Sequence, residues 1–200
     1  MGLFKRLLGK KSKNEENAPQ KEHSKYFPKQ DLPTDEKFTR KFSENGGKFL
    51  YCLNWDEVSE AFDNILLEND WYEKEVCCMD PALIKKFDGY NLTFNQSDKA
   101  CFVLSQCESL VASNGAILLC SKQIKEKKLS ELPANIVIFA TTSQLVETIS
   151  EGLQLIKSRS NKSIPSNITT IQDFESENEK DFMSYGSSTK NLYLLLMEDL

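Results

Sequence analysis

Short apolar runs alternating with amphipathic stretches constrain what this chain can fold into more than any other feature. Asn135-Ile-Val-Ile-Phe-Ala140 and Leu192-Tyr-Leu-Leu-Leu-Met197 are apolar on both faces that a strand presents. Such strands need cover on both sides, as the central strands of a parallel sheet have. Lys48–Leu53, Glu75–Met79, Ala100–Leu104 and Ala116–Cys120 read as further strands, with shorter ones at Leu92–Phe94 and Ile168–Ile171. Between them lie helix signals. Thr34 is read as the cap of a helix that stops at Gly46-Gly47, and Asn54 with Glu57 as a capping box for a helix reaching about Asn69. Asp80-Pro81 opens a short helix that ends at Gly89. Ser105–Asn114 reads as a short polar-capped helical turn broken by Gly115. Thr142 or Ser143 is read as capping a helix to about Ser158, with Leu145, Val146, Ile149, Leu153 and Ile156 inward. This alternation predicts an α/β fold, an open and mostly parallel sheet with helices on both faces.

A chain of 200 residues is long enough for one domain with a sizeable core. Residues 1–30 hold eight Lys/Arg against three Glu, and the remaining 170 hold 17 against 27, so a basic tail precedes an acidic body. An acidic body excludes a nucleic-acid surface, which needs clustered cations. Residues 1–33 are polar, charged and proline-punctuated, which predicts a disordered tail ahead of one domain over 34–200. Leu3, Phe4, Leu7 and Leu8 share a face among basic residues, so membrane contact through residues 1–11 is at most weak. No run approaches the roughly 20 apolar residues of a membrane span. The start lacks the pattern of a secretory signal, and the cytoplasm is the expected location.

Six cysteines, Cys52, Cys77, Cys78, Cys101, Cys107 and Cys120, show no Cys-x-x-Cys spacing, and the one histidine, His23, lies in the tail. That argues against a resident iron–sulfur cluster, a histidine-based zinc site and Ser-His-Asp chemistry. No metal, no cofactor and no independent catalysis are expected.

In open α/β sheets, ligands bind beyond the carboxyl ends of the strands. Of four strand-to-helix loops, those opened by Asn54, Asp80 and Ser105-Gln-Cys-Glu108 already carry acid. Thr141, Thr142 and Ser143 are uncharged and hydroxyl-rich, suited to an anion at a helix start, the alternative being a plain N-cap. Ser109, Ser113, Asn114 and Gly115 form a second candidate, with Gly115 allowing close approach to the backbone. A small anion is expected between the Ser113–Gly115 turn and Thr141–Gln144. Glu108 is a weak candidate for a catalytic acid, against the reading of a solvated surface glutamate. Gly186-Ser-Ser-Thr-Lys190 precedes a strand and reads as a plain turn.

The order of these segments resembles the LUD domain of the LutC/YkgG family, bacterial proteins associated with lactate utilisation. The likeness runs over about residues 38–200. Leu129-Ser-Glu-Leu-Pro133 stands where that family has a leucine–proline connector, Asn114-Gly115-Ala116 where it has a Thr-Gly-Thr turn, and Glu198-Asp199 where it has acidic residues after a final apolar strand. The resemblance implies the fold shared by glucosamine-phosphate deaminases, ribose-phosphate isomerases and CoA transferases. It implies an accessory role in lactate oxidation beside iron–sulfur oxidase subunits. The alternative is a non-catalytic domain binding a phosphorylated or CoA-type ligand.

Overall fold

We describe residues 32–160, 164–172, 174 and 190–199 of a computed structural model of the chain. The tail, apart from Leu32 and Pro33, and the Gly186–Lys190 turn, apart from Lys190, lie outside the described residues. Ten strands follow one another: β1 (Lys48–Cys52), β2 (Glu75–Cys77), β3 (Thr93–Asn95), β4 (Phe102–Gln106), β5 (Ser109–Val111), β6 (Ala116–Leu119), β7 (Asn135–Thr141), β8 (Leu145–Val146), β9 (Thr169–Ile171) and β10 (Asn191–Met197). The helices are α1 (Thr34–Glu44), α2 (Trp55–Asn69), α3 (Pro81–Lys86), α4 (Ser121–Ile124) and α5 (Ile149–Arg159).

The fold is α/β. Six strands form one sheet in the order β1-β10-β7-β4-β2-β3, every neighbouring pair parallel. The two runs expected at its centre are there: Leu194 of β10 lies between Phe49 of β1 and Ile138 of β7. One face of this sheet, through Phe102, Leu104, Val137, Phe139, Tyr193 and Leu195, shares a core with Val58, Phe62, Ile65 and Leu66 of α2. Leu83 of α3 and Phe87 join it, Trp71 stacks on Phe102 at 4.7 Å, and Phe62 meets Phe87 edge-on at 4.5 Å. Residues of opposite parity, Ile136, Ile138, Leu192, Leu194 and Leu196, are buried too, so the sheet is covered on both faces.

A second sheet, which the alternation of signals does not announce, runs β8-β5-β6-β9. Val111, Ala116, Leu118 and Val146 form a smaller core with Ile156 of α5. Helix α1 touches β1 of the first sheet and β8 of the second.

The second sheet corrects several expectations. Ser105–Asn114 is not a helical turn: Ser109-Leu-Val111 pairs antiparallel with Ala116–Leu118 in a hairpin. Gly115, at φ +69°, closes its loop by donating to Val111 O at 2.9 Å. Thr142 and Ser143 cap no long helix. They form a single 3-10 turn, Leu145 and Val146 then pair with Leu110 and Val111, and Thr148 is the N-cap, its side chain accepting from the Glu151 N–H at 3.2 Å. A two-residue strand breaks the apolar spacing that suggested one continuous helix, and it leaves Leu153 40% exposed rather than inward. Thr34 lies within the first turn of α1, which Pro33 precedes without a side-chain cap, and its hydroxyl donates to Glu147 Oε2 at 3.3 Å. Asn54 does cap α2, accepting from the Glu57 N–H at 3.0 Å.

Candidate functional site

The parallel strands β2, β4 and β7 all end at one edge of the sheet, and a cleft of about 720 Å³ opens there. Its wall takes Asp80 after β2, Ser105 to Glu108 at and beyond the end of β4, and Thr141 to Gln144 (Thr142 excepted) at and beyond the end of β7. Lys122 and Gln123 of α4 and Arg159 at the end of α5 face the same space. Phe139 lines it too, with Lys86 Nζ 5.5 Å from its ring centre and 5.0 Å from that of Trp55. Gln144 ties the wall together: its Oε1 accepts from the Thr141 N–H at 2.8 Å and its Nε2 donates to Cys107 O at 2.6 Å.

Glu108 is not a solvated surface glutamate. Only 7% of it is exposed, because the hairpin that replaces the expected helical turn draws its backbone inward, N–H donating to Leu118 O at 2.8 Å. Gln123 Nε2 donates to Glu108 Oε1 at 3.0 Å, Cys120 Sγ donates to it at 3.2 Å, and Lys122 Nζ lies 3.6 Å from the same oxygen. Burial pushes the Glu108 carboxyl up, but the bonds from Gln123 and Cys120 and the charge of Lys122 outweigh it and hold it below its ordinary value. Glu108 therefore faces the cleft as a carboxylate. Burial, with the bond to Glu108 adding to it, pushes the Cys120 thiol up to about 11, so Cys120 remains a donor.

The turn at Thr141–Ser143 has its anion already. Asp199, two residues beyond β10, accepts from the Thr142 hydroxyl at 2.9 Å, the Ser143 N–H at 2.9 Å and the Ser143 hydroxyl at 2.7 Å. Burial acts to raise the Asp199 carboxyl, and hydrogen bonding, Ser143 foremost, overrides it and keeps the carboxyl below its ordinary value. The Ser143 N–H and the hydroxyls of Thr142 and Ser143 are thus spent on Asp199.

The other candidates are elsewhere. The Ser113–Gly115 turn does not line the cleft but lies against α1, where Asn45 Nδ2 donates to Asn114 O at 2.8 Å. A Cβ on Gly115 would meet Lys41 C and Phe42 N at 2.5 Å, so its missing side chain admits a helix rather than a ligand. Ser109 is buried in β5, away from the cleft lining. Glu108, Thr141 and Ser143 are brought together in the cleft. Lys86, Lys122, Gln123 and Arg159 carry no motif of their own, whereas Gln144 falls within the Thr141–Gln144 segment expected at the site. The one available signal was the acidic pair ending the final strand, which supplies Asp199.

Among the described residues no three His, Cys, Asp or Glu side chains gather as a metal site, and no helix is long and apolar enough to cross a membrane. Cys52, Cys77, Cys78, Cys107 and Cys120 are buried and unpaired by disulfides. Burial pushes the thiols of Cys52 and Cys78 up to about 11 and raises that of Cys107 as well.

A family model for the LUD domain matches residues 70–196, a span from the end of α2 to the end of β10 that includes the cleft. The chain belongs to the LUD domain family. Among solved structures, this LUD domain is similar to a DUF162 family protein from Deinococcus radiodurans at 17% identity and a TM-score of 0.58, covering 83% of this chain and 99% of that one. That likeness bears on the fold alone. No curated protein matches the chain.

Proposed function

We propose that this LUD domain binds a small anionic ligand, of the phosphorylated or CoA type, in the cleft at the ends of β2, β4 and β7. The observation that carries the reading is the cleft's charge. Lys86, Lys122 and Arg159 line it together with Asp80 and Glu108; Lys122 is engaged with Glu108, and Asp80 Oδ1 is engaged by the Ala82 N–H at 2.8 Å. Lys86 and Arg159 are left as the cations for an incoming anion, in a space of the size that small ligands fill. Thr141 adds a hydroxyl to the same lining.

Calorimetry with inorganic phosphate, lactate and CoA esters tests the reading. Binding of one of these anions that weakens at least about tenfold in Lys86→Ala/Arg159→Ala supports it. Silence from all of them, or affinity indifferent to both cations, counts against it.

Family membership supports a place for the domain in lactate utilisation, as an accessory subunit of LutC-like character beside iron–sulfur oxidase subunits. In that setting the cluster chemistry belongs to the partners, since among the described residues no three Cys, His, Asp or Glu side chains gather as a metal site. Co-purification of the tagged chain with iron–sulfur oxidase subunits of its own cell supports this role, and their absence from the eluate speaks against it.

A further inference from the structure

Glu108 has one carboxylate oxygen fully engaged and one that is not. Gln123, Cys120 and Lys122 all converge on Oε1. Oε2 accepts no hydrogen bond among the described residues, although Glu108 is 7% exposed and lines the cleft. Oε2 is not among the fully buried unpartnered oxygens, so a donor reaches it only from the cleft side, as water or as a ligand. The side chain has no easy way to turn toward one, because rotation would break the contacts to Oε1. What the cleft offers at this point is an oriented acceptor held in its ionised form.

An acceptor of that kind repels a bare anion and takes an O–H or N–H donor. Together with Lys86 and Arg159 it gives the cleft two poles, cationic and hydroxyl-accepting. A cleft of about 720 Å³ also has room for more than a phosphate ion. We propose that Glu108 Oε2 reads a ligand hydroxyl, so that the cleft selects hydroxylated phosphate esters, such as a sugar phosphate or the ribose phosphate of a nucleotide, over phosphate esters without hydroxyls. Acidic side chains hold ribose hydroxyls in the same manner in nucleotide-binding α/β folds. The proposal rests on the cleft being an anion site, and its test separates the two claims.

The probes are ribose 5-phosphate and n-pentyl phosphate, which share a phosphate and a chain length and differ in their hydroxyls. Calorimetry on the full chain is expected to show ribose 5-phosphate bound about 10- to 100-fold more tightly, the scale of one hydrogen bond to a charged group. In Glu108→Gln that preference is expected to shrink to about threefold or less, with pentyl phosphate bound no more weakly than by the wild type. Glu108→Asp, which withdraws the oxygen by one methylene, serves if the glutamine variant fails to fold, and it too is expected to lose the preference. Equal affinity of the wild type for both esters overturns the hydroxyl reading and leaves the anion site standing. Preference retained in a folded Glu108 variant overturns the assignment to Glu108. Failure of the wild type to bind either ester overturns the hydroxyl reading, and the anion site then stands or falls on the phosphate, lactate and CoA-ester titrations.

Discussion

The Ser109 hydroxyl lies fully buried in β5 and has no hydrogen-bond partner among the described residues. Gly152 of α5 crosses directly above it, so close that a Cβ there would sit 3.4 Å from Ser109 Oγ. A small side chain is therefore required at Ser109, but a polar one gains nothing. Ser109→Ala is expected to stabilise the fold by about 1 kcal/mol, read as a higher urea midpoint at unchanged slope. Gly115 is the opposite case. Its φ of +69° disfavours side chains, and the backbone of α1 fills the space a Cβ would take. Gly115→Val is expected to cost more than about 2 kcal/mol, since strain and overlap add. Thermal unfolding checks it, and a variant as stable as the parent would show that α1 does not pack there.

At the scale of elements, the turn after β7 joins two distant parts of the chain. Thr142 and Ser143 hold Asp199 across 57 and 56 residues, respectively. Removing the charge in Asp199→Asn is expected to speed hydrogen exchange at the Ser143 N–H while the β7 amides stay protected. Equal exchange in both proteins would mean that the carboxylate does not hold the turn. Thr148→Ala removes the cap of α5 and is expected to cost about 1 kcal/mol in a urea titration. These elements also show where the sequence is readable. The strands β1, β7 and β10 and the helix α2 are legible because apolar pattern and, for α2, the cap signal agree locally. The strands β5 and β8 are three and two residues long, too short for periodicity, and their pairing of Leu110 with Leu145 is a long-range event. Misreading them turns a hairpin into a helix and moves the N-cap from Thr148 to Thr142 or Ser143. The candidate site divides in the same way. Glu108, Thr141 and Ser143 follow from the rule that ligands sit beyond strand ends, while the partners of Glu108 follow from the hairpin and those of the turn from the chain's last strand.

For the whole molecule, Glu108 in the cleft and Asp199 at the turn after β7 are expected to contribute to the acid limit of stability. Glu108 titrates below its ordinary 4.5 in the folded chain and Asp199 below its ordinary 3.8. A carboxyl whose folded pKa is depressed contributes stability that is complete above its unfolded value and is lost as pH falls through the folded one. Stability from these two groups is thus expected to hold from neutral pH down to about 5 and to decline progressively below about 4.5. Glu108 should supply more of that decline than Asp199, being buried where Asp199 is exposed and screened. The ion pairs of Glu44 with Arg40 and Lys41 lie on the surface and add little to it. Urea titrations from about pH 7 to about pH 3 on the parent and on Glu108→Gln test the assignment, the variant being expected to start less stable and to lose less on acidification. Parallel curves would place the acid sensitivity in other carboxylates. A parent whose stability rises below about pH 4.5 would reverse the sign and mean that Glu108 is protonated in the folded cleft.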